Sequence, residues 1–191
     1  MTAALRVVML LLALVLAVGC GRRDGEADGA PAVDTELMAF LSEARALHHQ
    51  ANLKEDAGDL AGAIASMERL VAAQRPHPER PAPEVDEVLA DAYARLAELR
   101  LRRGDLTSAA DAVARGLERA PEPTYFRGRL VEVQGLVEEA RAAELADAGK
   151  PEEAARARER AIQLLEEVVR IQDQVIKRSL ANREAGSEGP R

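Results

Sequence analysis

Three stretches of this 191-residue chain carry the same punctuation at nearly constant spacing. They read "AGDLAGAIASMERLV" (Ala57 to Val71), "RGDLTSAADAVARGL" (Arg103 to Leu117) and "AGKPEEAARARERAI" (Ala148 to Ile162). In each, an alanine follows a glycine five residues later: Gly58 and Ala63, Gly104 and Ala109, Gly149 and Ala154. The glycines stand 46 and then 45 residues apart. A fixed period of that size marks one supersecondary unit stacked repeatedly. Glycine ends a helix because it enters the left-handed conformation without a Cβ penalty. Asp59 and Asp105 then suit the N-cap of the following helix, and Pro151 suits its first turn. The small Ala lets two antiparallel helices approach closely, so the pattern predicts three αα-hairpins.

Upstream of each glycine the apolar residues recur with helical period: Leu37, Phe40, Leu41, Ala44, Leu47 and Ala51; Val88, Leu89, Ala92, Leu96 and Leu99; Leu130, Val133, Val137, Ala140 and Ala143. Sets at i, i+3, i+4 and i+7 are the buried stripes of amphipathic helices. The last helix runs without a breaker from Pro151 to about Arg183. Its apolar positions are Ala161, Leu164, Leu165, Val168, Ile171 and Val175, with a second line at Ile162, Val169 and Ile176 spaced by seven. That face is wider than one neighbour covers. The expectation is that this helix caps the array by packing on two earlier helices; the alternative leaves one line exposed for a partner or a second copy. Residues 184–191 have no period and read as a disordered tail.

The hairpins resemble the tetratricopeptide repeat (TPR). Tyr93, Leu96, Ala97, "RGDLTSA" and Pro121 fall at that family's spacing in the second hairpin, and "AGDLAGAI" in the first, where the loop "RPHPERPAPE" lengthens the period. The third matches at Gly149, Ala154 and Ala161, with Arg158 where the family has a large apolar residue. The resemblance implies an all-α fold over residues 34–183: antiparallel helical hairpins, about six helices, stacked as a short right-handed array with a long C-terminal helix. It also implies that first helices line a groove for a protein segment. Groove-facing positions would be Arg45, His48, Asn52 and Asp56 in the first hairpin, with Asp91, Glu98 and Arg102 in the second. The same side chains read equally well as a merely solvent-facing surface.

Composition supports helices. Aromatic residues make up only 2% of the chain, with two Phe, two Tyr and no Trp, which disfavours sheet architectures and base-stacking platforms. With 33 acidic against 26 basic residues, the surface does not favour nucleic acid.

The N-terminus reads as an address. "MTAALR" is followed by the apolar run Val7 to Val18, small Gly19 and Cys20, the only cysteine of the chain. Twelve helical residues reach about 18 Å against a hydrocarbon core of about 30 Å, so a transmembrane helix is the weaker reading and the run suits a removable signal, residues 1–19. "AVGC" resembles the lipobox of bacterial lipoproteins, with Ala17 where Leu is commonest. That resemblance implies acylation of Cys20, which becomes the mature N-terminus, so that the chain reaches the membrane through a lipid anchor. Gly21, rather than Asp, after the cysteine implies the outer membrane of the cell envelope, with the domain facing the periplasm. An ordinary signal peptide with an incidental cysteine and an uncleaved anchor are the other readings. Residues 20–33, rich in Gly, Ala and Asp, read as a flexible tether whose span is on the order of 20 Å.

Enzymatic chemistry finds no support. His48 and His49 are adjacent and point about 100° apart on a helix, so they cannot make a zinc-binding i, i+4 pair, and His77 sits in the proline-rich loop. No phosphate-binding loop, nucleophile elbow or zinc-protease motif occurs. No cofactor, metal or small-molecule substrate is therefore expected, and a peptidoglycan hydrolase would need an acid/base pair in a cleft. Lipoproteins of this general sort serve as secretin pilotins, accessory subunits of outer-membrane assembly machines or cell-wall coordinators. The resemblance thus implies an envelope-protein scaffold or assembly factor, with a structural, self-associating helical lipoprotein as the alternative.

Overall fold

The computed structural model describes residues 33–187; the signal, Cys20 and most of the tether lie outside them. Among the described residues there are six α-helices and no strand. They are α1 (Thr35–Asp56), α2 (Leu60–Val71), α3 (Pro83–Arg102), α4 (Leu106–Arg119), α5 (Tyr125–Asp147) and α6 (Pro151–Ser187). The last helix therefore continues four residues past Arg183, where loss of hydrophobic period alone placed its end.

The three glycine turns are copies of one another. Gly58, Gly104 and Gly149 have φ of +79°, +81° and +71°. In each, the glycine N–H donates three residues back, to Glu55, Leu101 or Ala146. The next N–H (Asp59, Asp105, Lys150) donates five residues back, to Lys54, Arg100 or Leu145. This is the Schellman closure, which satisfies the carbonyls a helix end leaves over. Asp59 then accepts from the Gly62 N–H at 2.8 Å and Asp105 from the Ser108 N–H at 3.0 Å. Each cap stabilises its helix start by about 1 kcal/mol. Thr124 caps α5 in the same way, through the Arg127 N–H.

The alanine of each repeat has no exposed surface: Ala63, Ala109 and Ala154 are all at 0%. Successive helices pair as α1/α2, α3/α4 and α5/α6, and the hairpins stack because α2 also packs on α3, and α4 on α5. The main core joins Leu47, Met67, Leu70, Leu96, Leu99, Val113, Leu130 and Val133. A smaller cluster of Phe40, Val85 and Leu89 closes the end near the proline-rich loop. The predicted stripes of the first helices are buried, or partly buried at Leu37, Leu41, Val88 and Ala140, except at Ala143, which is exposed. Six residues beyond Val137, at about 100° per residue, it points about 120° away from the core line.

The expectation that α6 caps two earlier helices is not met, because α6 packs on α5 alone among the described helices. That contact is close because both sides are small. Gly135 faces the Ala161 carbonyl and Leu165, and Ala154, Ala157 and Ala161 are buried on α6. Glu138, on α5, adds an ion pair to Arg160 of α6 at 2.7 Å. The second line of α6 stays in solvent: Ile162 is 52%, Val169 66% and Ile176 57% exposed. Leu165, grouped with the buried line from sequence, is 43% exposed.

Candidate functional site

The first helices of the hairpins, α1, α3 and α5, lie side by side, with α3 in contact with both others. Along α3 the residues Asp91, Arg95, Glu98 and Arg102 follow at i, i+4, i+7 and i+11, which is a single helix face. They meet His48, Asn52 and Glu55 from α1 and Arg129 from α5 in one ionic ladder. Arg129 donates to Asp91 at 2.5 Å and to Glu98 at 3.2 Å. Arg95 donates to Glu98 at 3.2 Å, to the Asn52 side-chain oxygen at 3.2 Å, and to Glu55. Arg102 reaches the other oxygen of Glu55. His48 Nε2 stands 3.7 Å from Asp91, too far for a hydrogen bond and near enough for Coulomb attraction.

Of the seven groove positions read from sequence, the structure thus brings five together: His48, Asn52, Asp91, Glu98 and Arg102. Arg45 and Asp56 are exposed on α1, and among the described residues no ion pair ties either to the ladder. Glu55, Arg95 and Arg129 were not anticipated, and the first two are its least exposed members, with side chains at 12% and 18%. The alternating charges of "DAYARLAELR" hint at Arg95. Apart from Glu98 three residues on, its partners come from another hairpin, and no local spacing shows them.

Burial and charge act on the two titrating centres in opposite senses. Burial pushes the His48 imidazole below its ordinary value; Asp91 pulls it upward, while Arg129 and Arg95 add to the lowering. Burial works against the charge of Arg129, but Asp91 and Glu98 outweigh it and raise its pKa. A histidine depressed in the fold binds fewer protons than in the unfolded chain. Stability is therefore full above the ordinary value of about 6.5 and is lost as pH falls below it toward the folded value. Denaturant unfolding at about pH 7.5 and pH 5.5 checks this, since His48→Gln should make the difference between the two smaller.

No protein-family model and no curated protein matches this chain.

The chemistry of the face has to be read from the ladder itself. Three carboxylates balance three guanidiniums, so the surface has alternating sign and little net charge. Arg102 is its most accessible cation, with a side chain 61% exposed, and Asn52, which accepts from Arg95, is exposed as well. These two can exchange internal partners for the carboxylate or backbone of another chain at low desolvation cost. No group of three or more His, Cys, Asp or Glu among the described residues is placed to hold a metal ion. No helix among them is long and apolar enough to cross a membrane.

Proposed function

We propose that this protein is a lipid-anchored scaffold of the cell envelope that docks a segment of another protein on the face shared by α1, α3 and α5. The observation that carries the reading is the convergence of amide, imidazole and paired charged side chains from three successive first helices on one surface. In tetratricopeptide arrays, which the hairpins resemble, that surface is the groove. Acylation of Cys20 would hold the domain within about 20 Å of the membrane through residues 20–33, and Gly21 favours the periplasmic side of an outer membrane. A charge-balanced ladder suits a polar segment bearing both signs better than a uniformly acidic or basic one.

Crosslinking capture from membranes, with identification by mass spectrometry, tests both halves. Asn52→Ala combined with Arg102→Glu should remain membrane-bound and lose a specific envelope protein that the wild type captures. Cys20→Ser should accumulate as an unprocessed precursor. An unchanged captured set would refute the groove, and normal processing of Cys20→Ser to a released protein would refute the anchor.

A further inference from the structure

One turn before the ladder, α3 and α5 open a cavity. Glu87 stands four residues before Asp91 on α3, and Tyr125 four before Arg129 on α5, a spacing that puts each on the face of its ladder neighbour, about 5–6 Å away between Cβ atoms. Both line a cavity of about 480 Å³ whose third wall is α6, a size within the roughly 300–1,000 Å³ of ligand-binding clefts. Val175, Arg178, Ser179 and Asn182 form that wall at i, i+3, i+4 and i+7, with Arg183 beside them. Most of the remaining lining is apolar. Tyr125 and Phe126 meet edge to face there with ring centroids 5.5 Å apart, and Tyr125 is 55% exposed, so half the aromatic residues of the chain stand at this one place. An exposed ring is large apolar surface left free to bind.

The charges around the cavity say what it takes. Arg95, Arg102 and Arg129 of the ladder are each held by a carboxylate, whereas Arg178 and Arg183 are exposed and make no ion pair among the described residues. The acids of this part of α6 do not offset them: at about 100° per residue, Asp173 and Glu184 fall about 180° and 160° round the helix from Asn182. Glu87, on the opposite wall, is the only acid in the lining among the described residues. Two guanidiniums therefore stand against one carboxylate. We infer that this cavity anchors the docked segment of the partner by taking a large apolar side chain against Tyr125, Phe126 and Val175, with a neighbouring Asp or Glu side chain on Arg178 and Arg183. Phe126 and Val175 are partly buried and the two arginines exposed, so the apolar group enters first and the carboxylate stays at the rim. Charge-assisted hydrogen bonds from the arginines hold it, and Glu87 repels a second acid. The inference rests on the docking face proposed above and adds what the partner brings to it. The ladder has its charges paired internally and contributes register, while the cavity has free cations and apolar surface to bind with.

Fluorescence anisotropy with short labelled peptides, acetylated and amidated so that no terminal charge remains, tests this on the full chain in a mild non-ionic detergent. A peptide carrying Phe next to Glu in a Gly/Ser background should bind about tenfold tighter than its Gln-for-Glu counterpart, and about tenfold tighter than its Ala-for-Phe counterpart. Arg178→Gln combined with Arg183→Gln should erase the preference for Glu and keep that for Phe; Tyr125→Ala should do the reverse. All three side chains are exposed, so these variants fold. Asn52→Ala with Arg102→Glu should leave the peptide affinities unchanged, because neither residue lines the cavity. Loss of the captured envelope protein in that variant therefore reports on the ladder, and the peptides report on the cavity, so either failure is recognised by itself. Four results would each overturn the inference: no saturable binding of the Phe-Glu peptide, equal affinity for the Glu and Gln peptides, a Glu preference that survives loss of both arginines, or about tenfold tighter binding of a peptide whose carboxylate is its own C-terminus.

Discussion

Leu130→Ala should lower the free energy of unfolding by about 2–5 kcal/mol, and Gly116→Ala by about 1–3 kcal/mol, yet the double variant should lose clearly less than their sum. Leu130 has no exposed surface and belongs to the main core, so truncation leaves a void between hairpins. At Gly116 an added Cβ would lie 2.4 Å and 3.2 Å from the two Leu130 methyls and 2.9 Å from the Tyr93 Cβ. Alanine is the better helix former by about 1 kcal/mol, but contacts that short force side chains or backbone to move, and the overlap decides the sign. Without the Leu130 methyls, the new Cβ occupies part of the void. A coupling of about 1–3 kcal/mol between the two sites follows. Urea unfolding of the four proteins measures it, and additivity within about 0.5 kcal/mol would show that α4 and α5 do not approach so closely.

Arg129→Met should cost about 1.5–3 kcal/mol and raise the pKa of His48. Methionine keeps much of the packing volume and removes the only charge that α5 sends into the ladder. Asp91 would be left with His48 at 3.7 Å, and Glu98 with Arg95 at 3.2 Å. Both carboxylates are about a quarter exposed, so water screens part of the loss and the full cost of a buried unpaired charge is not reached. With Arg129 gone, Asp91 acts on His48 with less opposition, because Arg129 is among the causes of the depressed imidazole. The pH-dependent loss of stability below about 6.5 should become shallower in this variant. A histidine titration by NMR reads the shift directly, with His48→Gln supplying the assignment. An unmoved His48 would show that the ladder does not connect α1 to α5.

The hairpins were legible because their causes are local. Gly58, Gly104 and Gly149 end helices through their own backbone freedom, and Asp59 and Asp105 cap the next helix through an N–H three residues on. The periodic apolar stripes say which face of each first helix turns inward, because apolar residues at a period near 3.6 line up on one face, whose burial is favourable wherever a neighbour is present to cover it. The same reasoning named five of the residues that the ladder joins, since a repeated hairpin aligns equivalent faces.

The ladder and the exposed apolar line of α6 have causes that no single helix contains. Glu55, Arg95 and Arg129 meet only because three hairpins stack, and the separations that make them partners span 31 to 47 residues of chain. Whether Ile162, Val169 and Ile176 lie in a core or in solvent was likewise beyond the pattern. A seven-residue apolar line has the same sequence whether or not a neighbour covers it, and this one is exposed because α6 packs on α5 alone among the described helices. Local chemistry dictates turns, caps and inward faces because those interactions close within a few residues. The tertiary arrangement decides which charges pair and which apolar face is left over, because those depend on what the rest of the chain brings alongside.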